Sequence, residues 1–512
     1  MKTYFKLIVL SAAMMAMSIS CTQNELAPEK VKNTPKVKMT IEAAAPVTKT
    51  AIDGSNAVTW SAGDQIAVFQ TVKDSTYKTK VISAALAADA AKASFTVTMD
   101  AVADADDFKY IAVSPATAFE WSTDTTFTAF GEEYPYAANG VINDSTFMKD
   151  KLTEMFHSRY RVIVPRTQKP TADSWDPAAD VLVSKVVAST TQPESLNMEF
   201  HRLGTAVKMT IDGLTSGETI KYVDFSTTEA KICGRSHVNP VTGSLYDIGY
   251  SAGGNVIHII PAAERTTTGS DAFWFRTLPG TLKDNFTVIV VTDAAYYVKT
   301  VDLKTAGRTI VFADEGLTTF SVSSLVRHAE VTDINRTECV VTTSHPVFQE
   351  KAANSTIEFT QALVDNQPAA VGGNPASRFC MIRPGKGPVR TIDGTNLQVS
   401  KTETIWFQLD FGAPVTVSCF RAMFRPKSAG LQLRPAGFDE IQGSNDGAEW
   451  TCVAKDILIY NNQNVQETAN IPIPPSTFRY YKFLMQEQKC FYQGKYISSG
   501  NTWQMLEFYL GN

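Results

Sequence analysis

Apolar and polar residues alternate along most of the chain with a period of two. Val37-Lys38-Met39-Thr40-Ile41 and Ser94-Phe95-Thr96-Val97-Thr98-Met99 put every second side chain on one face, as a half-buried strand requires. Tyr110-Ile111-Ala112-Val113 and Arg161-Val162-Ile163-Val164 are nearly continuous apolar runs and read as strands covered on both faces. The same texture returns in Ala206-Val207-Lys208-Met209-Thr210-Ile211 and in Phe286-Thr287-Val288-Ile289-Val290-Val291. Clusters of Gly, Asp, Asn and Ser separate these runs, so the pattern predicts an all-β chain of sandwiches and not βαβ units. The exception is a short Ala-rich stretch near Ala84 to Ala93, where a helical period is expected.

At roughly 150 residues per domain, 512 residues suggest three domains, each long enough to bury its own core. A polar, Pro-containing stretch from Thr167 to Asp176 ends the first unit. Ser321 to Asp333 joins the second unit to a C-terminal one richer in cysteine, arginine and aromatics. With 47 Lys+Arg against 52 Asp+Glu the net charge is -5, which removes the electrostatic motive for nucleic-acid binding; no nucleic-acid partner is expected. No apolar run beyond the first twenty residues approaches the roughly 20 residues that span a bilayer. None of the 7 cysteines forms a CxxC pair, which argues against zinc ribbons and thioredoxin-like redox motifs. A Cys339–Cys490 disulfide and buried free thiols both stand as readings.

Lys2 and Lys6 precede the apolar stretch Leu7 to Met17, the charge asymmetry of a secretory signal. It ends in Ser18-Ile19-Ser20-Cys21, which resembles a bacterial lipobox with Ser18 where leucine is usual. The resemblance implies a signal peptide over 1–20, acylation of Cys21, and a polar tether over 21–36. The expected location is the outer membrane, held by the lipid anchor, with the cell surface as the expected face. A plain signal peptide with an incidental cysteine is the competing reading.

Thr48-Lys49-Thr50-Ala51-Ile52-Asp53 followed by Val58-Thr59-Trp60-Ser61-Ala62-Gly63-Asp64-Gln65-Ile66 resembles the fimbrillin-like lipoproteins. Leu196 to Leu203 is similar to that family's opening strand of a second sandwich, and Gly307 to Phe320 to its closing strand pair. The resemblance implies two tandem β-sandwich domains, 37–185 and 186–325. Physically, Gly63-Asp64 suits a tight turn and Trp60 the adjacent core. In pilins of the family, cleavage after a basic residue frees a groove for a donor strand, which singles out Lys49 and makes pilus subunits possible partners. Lys49 as an ordinary solvated residue is the alternative.

Four blocks in order resemble a discoidin, or coagulation-factor C-type, domain over 331–512. They are Ile405 to Gly412, Phe438 to Trp450, Phe478 to Phe483 and Met505 to Gly511. The resemblance implies a galactose-binding-like jelly roll and a glycan or glycoprotein ligand. Within it, Ser444-Asn445-Asp446-Gly447 suits a hairpin turn with Gly447 at positive φ, and Trp450 is expected to return to the core. Such domains often carry a structural calcium, for which Asp365 and Glu507 are the matching carboxylates. Asn366 replaces the usual glycine there, and a hydrogen-bonded carboxylate pair without metal is the alternative.

Sugar recognition needs aromatic faces against CH groups and planar donors for hydroxyls. Arg378 to Arg434 holds nine basic residues and three acidic ones, an excess suited to an anionic glycan if the side chains share a rim. Arg425, Phe491, Tyr492 and Tyr496 lie in loop-like stretches and are the expected rim residues. No GxSxG, HExxH, P-loop or helix-opening GxGxxG is present, and the 6 histidines are scattered, so a non-catalytic adhesin is the leading expectation. A pilus tip or anchor subunit, and a glycan-degrading enzyme with an accessory binding domain, are the other two.

Overall fold

A computed structural model describes residues 35–44, 60, 64–72, 77–88, 92–102, 107–121, 128–129, 132–133, 160–238, 245–345, 363–364, 380–382, 386–392, 395–400, 404–424, 434–435, 437–459, 467–485, 489–492, 495–498 and 503–512. The chain is all-β throughout these segments, apart from short 3-10 turns such as Pro177–Ala179.

In the first unit, Lys36–Ala44 lies between Lys92–Asp100, antiparallel, and Ser195–Arg202, parallel. The sheet continues through Tyr77–Ala88 and Gln65–Val72 to Phe108–Ser114. Leu182–Ser184 pairs with both Ser195–Arg202 and Phe108–Ser114, so the sheet closes on itself. The period-two pattern fills its inside with Met39, Ile41, Phe95, Val97, Met99 and Phe200. Trp60 does belong to this core, edge-on to Phe95 at 5.6 Å and Phe200 at 5.3 Å. The apolar run of 110–113 is explained by its second face: Ile111 and Val113 pack with Ala67, Phe69 and Val162 in a separate cluster. The covering sheet joins Phe119–Trp121 and Tyr160–Val164 to Cys233–Val238 and Leu245–Gly254, and so links the first unit to the second.

Two expectations change here. Ala84 to Ala88 belongs to the strand Tyr77–Ala88, because pairing of Ala84 with Gln65 and of Ala85, Ala87 and Ala88 with Phe95, Ser94 and Ala93 outweighs helix propensity in so short a run. The strand Ser195–Arg202, expected to open the second sandwich, completes the first one, since Leu196, Met198 and Phe200 point into the first core. The first unit therefore runs past 185 to Leu203. Gly204 turns the chain there with φ 76, and a Cβ at that position would sit 2.2 Å from the Thr277 carbonyl oxygen.

The second unit is a sandwich. A six-stranded sheet runs in the order Thr167–Gln168, Val256–Ile259, Ile220–Thr227, Phe286–Thr292, Tyr296–Val301, Val326–His328. It packs on the three-stranded sheet Ser270–Thr277, Thr205–Asp212, Leu317–Val322. Phe225 sits at the centre, 5.4 Å from Phe275 and 5.3 Å from Phe286.

The C-terminal unit is organised by one 19-residue strand, Ile405–Met423. Its first half pairs with Val340–Thr343, its second half with Glu507–Gly511, and both halves with Ile471–Met485. Gly437–Ser444 and Thr451–Leu458 complete the sheet. Phe407, Phe420, Phe438, Phe483 and Phe508 form the core, with Phe407 stacked on Phe483 at 4.7 Å. Cys339, Cys419 and Cys452 are not disulfide-bonded, so the Cys339–Cys490 bridge does not form.

Candidate functional site

Three small sheets accompany the C-terminal core. Cys380–Ile382 pairs with Trp503–Met505, and Lys386–Ile392 forms a hairpin with Thr395–Ser400. Arg434–Pro435 pairs with Lys489–Tyr492, which pairs in turn with Lys495–Ser498. In this last sheet Arg434 is opposite Phe491, and Phe491 is opposite Tyr496. These pairings bring the backbones of an arginine and two aromatics to one register position of the small sheet. Tyr492 is opposite Lys495, one residue along. Of the expected rim residues, Phe491, Tyr492 and Tyr496 thus lie on two paired strands, and Arg425 lies outside the described residues. Arg434 joins them through a pairing with no local signature, which only its place in a basic segment hinted at.

The basic excess is partly committed to structure. Arg421 donates to both oxygens of Asp333, at 2.7 and 2.6 Å, and to Glu467 at 2.7 Å. Those hydrogen bonds from Arg421 hold the Asp333 carboxyl below the ordinary carboxylate range. Arg336 and Arg421 both lie 4.2 Å from the Tyr509 ring. Arg336 is buried and its Nη2 is 3.2 Å from Oε1 of Glu507, which is itself fully buried. The guanidinium supplies the positive charge that a calcium ion would supply, so Glu507 fits an ion pair better than a metal. Asp365 lies outside the described residues, and among those described no group of three or more His, Cys, Asp or Glu is placed to hold a metal.

On the outer face of the sheet, Arg479 holds Asp410 at 2.8 and 2.9 Å, which keeps the Asp410 carboxyl below its ordinary range. Lys482 lies 3.6 Å from the Trp450 ring and 4.9 Å from that of Trp406. Trp450 is thus half-buried on the outer face and does not return to the core, because the chain leaves the Ser444 turn on that side and the ammonium covers the indole. The turn itself forms as expected: Gly447 has φ 75, and Asp446 Oδ1 accepts from the Ala448 and Glu449 amides at 2.8 and 2.9 Å. With their faces covered by Lys482, these indoles are poor stacking platforms for a sugar. The row on the small sheet is the better candidate.

Cys21 and Lys49 lie outside the described residues.

No protein-family profile and no curated protein matches the chain. Among solved structures, 57% of this chain is similar to 97% of a protein assigned provisionally to cell adhesion from Bacteroides uniformis, at 16% identity and a TM-score of 0.30. A 35% portion is similar to 98% of the C-terminal domain of a chitobiase from Bacteroides fragilis, at 15% identity and a TM-score of 0.24. A 36% portion is similar to the whole (100%) of a family 32 carbohydrate-binding module from Clostridium perfringens, solved with galactose, at 13% identity and a TM-score of 0.23. Each likeness spans nearly all of the other protein and part of this one.

Proposed function

We propose that this protein is a non-catalytic surface adhesin, lipid-anchored to the outer membrane through Cys21, whose C-terminal unit binds a glycan or glycoprotein. The observation that carries the reading is the row Arg434, Phe491, Tyr496 on the small sheet. It combines a planar five-donor group with aromatic residues, the set that reads hydroxyls and CH faces together. The two preceding units serve as a spacer between the tether and this row. The test is a glycan-array screen of the full chain, with calcium and with chelator, over neutral and sulfated glycans. Saturable binding that falls at least tenfold in Phe491→Ala or Arg434→Ala is the expected result. A clean negative across the array overturns it. Loss of binding in chelator alone would restore a calcium requirement.

A second reading, a pilus subunit, is favoured by one feature. The strand Lys36–Ala44 is central in the first sheet and buries Met39, Ile41 and Ala43. Cleavage after Lys49 would detach this strand's only link to the rest of the unit and allow a donor strand to replace it. Selective tryptic cleavage there with release of the N-terminal peptide is its signature, read by intact mass.

A further inference from the structure

The stretch between the second sandwich and the C-terminal unit is built into both. Val326–His328 adds to the edge of the six-stranded sheet, opposite Tyr296, Tyr297 and Val298. Arg327 donates to Glu218 Oε1 at 2.8 and 3.2 Å and to the Tyr297 hydroxyl at 3.1 Å. His328 lies flat on Tyr296, with ring centroids 4.7 Å apart and planes 8° from parallel. The Tyr296 hydroxyl reaches across the junction to Ser418 Oγ at 2.8 Å, and Ser418 is fully buried. Around this bond Ile289, Val291 and Val298 of the second sandwich meet Cys419 and Val331. Farther along, Thr332 and Asn512 exchange backbone hydrogen bonds at 2.9 and 3.0 Å. A separate contact joins the Asn255 amide to Asp456, which takes the left-handed φ of 51 to meet it.

One polar atom at this junction has no use in the closed arrangement. Nε2 of His328 is buried with no hydrogen-bond partner. Burial alone holds the ring below the ordinary histidine value. The charged groups on the adjoining elements are committed elsewhere. Arg327 takes Glu218, Asp333 takes Arg421, and Arg479 takes Asp410. Lys299 is on the Tyr297 side of its strand by the two-residue period, and Lys482 lies between the two indoles. The groups that do line the contact are neutral: burial pushes the Tyr296 hydroxyl up to about 12 and the Cys419 thiol up to about 11.

We propose that this junction is a proton-gated latch: the neutral imidazole of His328, stacked on Tyr296, keeps the C-terminal unit docked on the second sandwich, and its protonation in mildly acid medium releases that unit. In the undocked state the ring is wet and takes its proton near the ordinary pKa of about 6.5. In the docked state a proton on Nε2 would be buried with no acceptor. The undocked state therefore binds more protons, so docking is fully favoured above about pH 6.5 and weakens as pH falls below it. Glu218, Asp333 and Asp410 are held below the ordinary carboxylate range, which leaves a window above that range in which His328 acts without them.

The test is amide hydrogen exchange and small-angle X-ray scattering of the full chain at pH 7.5 and 5.0. Exchange over 326–328, corrected for its intrinsic pH dependence, should accelerate in acid by roughly tenfold for each unit by which docking lowers the ring's pKa. The maximum dimension should grow with it. His328→Phe keeps a flat ring without a proton site, and His328→Gln is a second non-titrating variant should the first fold poorly. Both should exchange alike at the two pH values. A wild-type chain unchanged between pH 7.5 and 5.0 overturns the proposal, and so does a folded variant that opens in acid as the wild type does.

Discussion

Between the first and second units, Trp175 is flanked by two buried arginines, Arg202 at 5.1 Å and Arg276 at 5.3 Å, which share Asp180 at 2.8 and 3.5 Å. Between the second and C-terminal units the centre is Tyr296, hydrogen-bonded to Ser418 and capped by a neutral imidazole. The first junction is ionic and also shares a four-stranded sheet; the second has neutral groups at its centre, with one charged contact apart from it where Lys231 lies 3.9 Å from Asp456. Burial pulls Arg276 down to about 10, still far above neutral pH, so the ionic junction keeps its charges wherever the protein works. The second has a histidine, which burial holds below its ordinary value. Two interfaces in one chain thus differ in what can open them: removal of a charge for one, addition of a proton for the other.

The largest expected effect comes from breaking the ionic junction. Asp180→Ala leaves two buried guanidiniums facing each other without their shared carboxylate and should lose about 3–5 kcal/mol in chemical denaturation. If the loss is below about 1 kcal/mol, solvent or another carboxylate must already balance those charges. Acid should separate the junctions further. Glu218 and Asp410 have carboxyl groups held below the ordinary range, despite partial burial in the case of Glu218, by hydrogen bonds from Arg327, Thr292 and Tyr297, and from Arg479. Their stabilisation is complete above the unfolded values near 4 and is lost as pH falls through the depressed folded ones. Melting scans should therefore be flat for these pairs down to about pH 5, so any change seen above that belongs to the latch.

Tyr296→Phe keeps the stacked ring and the apolar contacts but removes the bond to Ser418. It should weaken docking by about 1 kcal/mol, visible as faster exchange over 326–328 at neutral pH, and leave the first junction unchanged. The smallest effect is expected at Lys185→Ala. Its pair with Glu199 at 2.9 Å is 67% and 74% exposed, and the change in stability should stay within about 0.5 kcal/mol. A larger loss would mean that solvent screens this surface less than it screens an ordinary one.

Much of the strand content was legible because its cause is local. Met39, Ile41, Phe95 and Val97 alternate with polar neighbours, and that spacing determines which face each can bury whatever the partner strand is. The place of Trp60 in a core and the positive φ at Gly447 followed in the same way, from side-chain size and from backbone sterics. The Ala-rich stretch misled because propensity is a weak force beside strand pairing. Ser195–Arg202 misled because its alternation says that it buries one face, not in which core.

By itself, then, the sequence determined an all-β chain, many of its inward-facing residues and an aromatic, basic C-terminal region, since period, size and charge act over a few neighbouring residues. The tertiary structure decided which strand closes the first sheet, that Arg434 is paired with Phe491, and that His328 rests on Tyr296, which is bonded to Ser418. Those partners are distant in sequence, and only the closure of the sheets brings them within reach of one another.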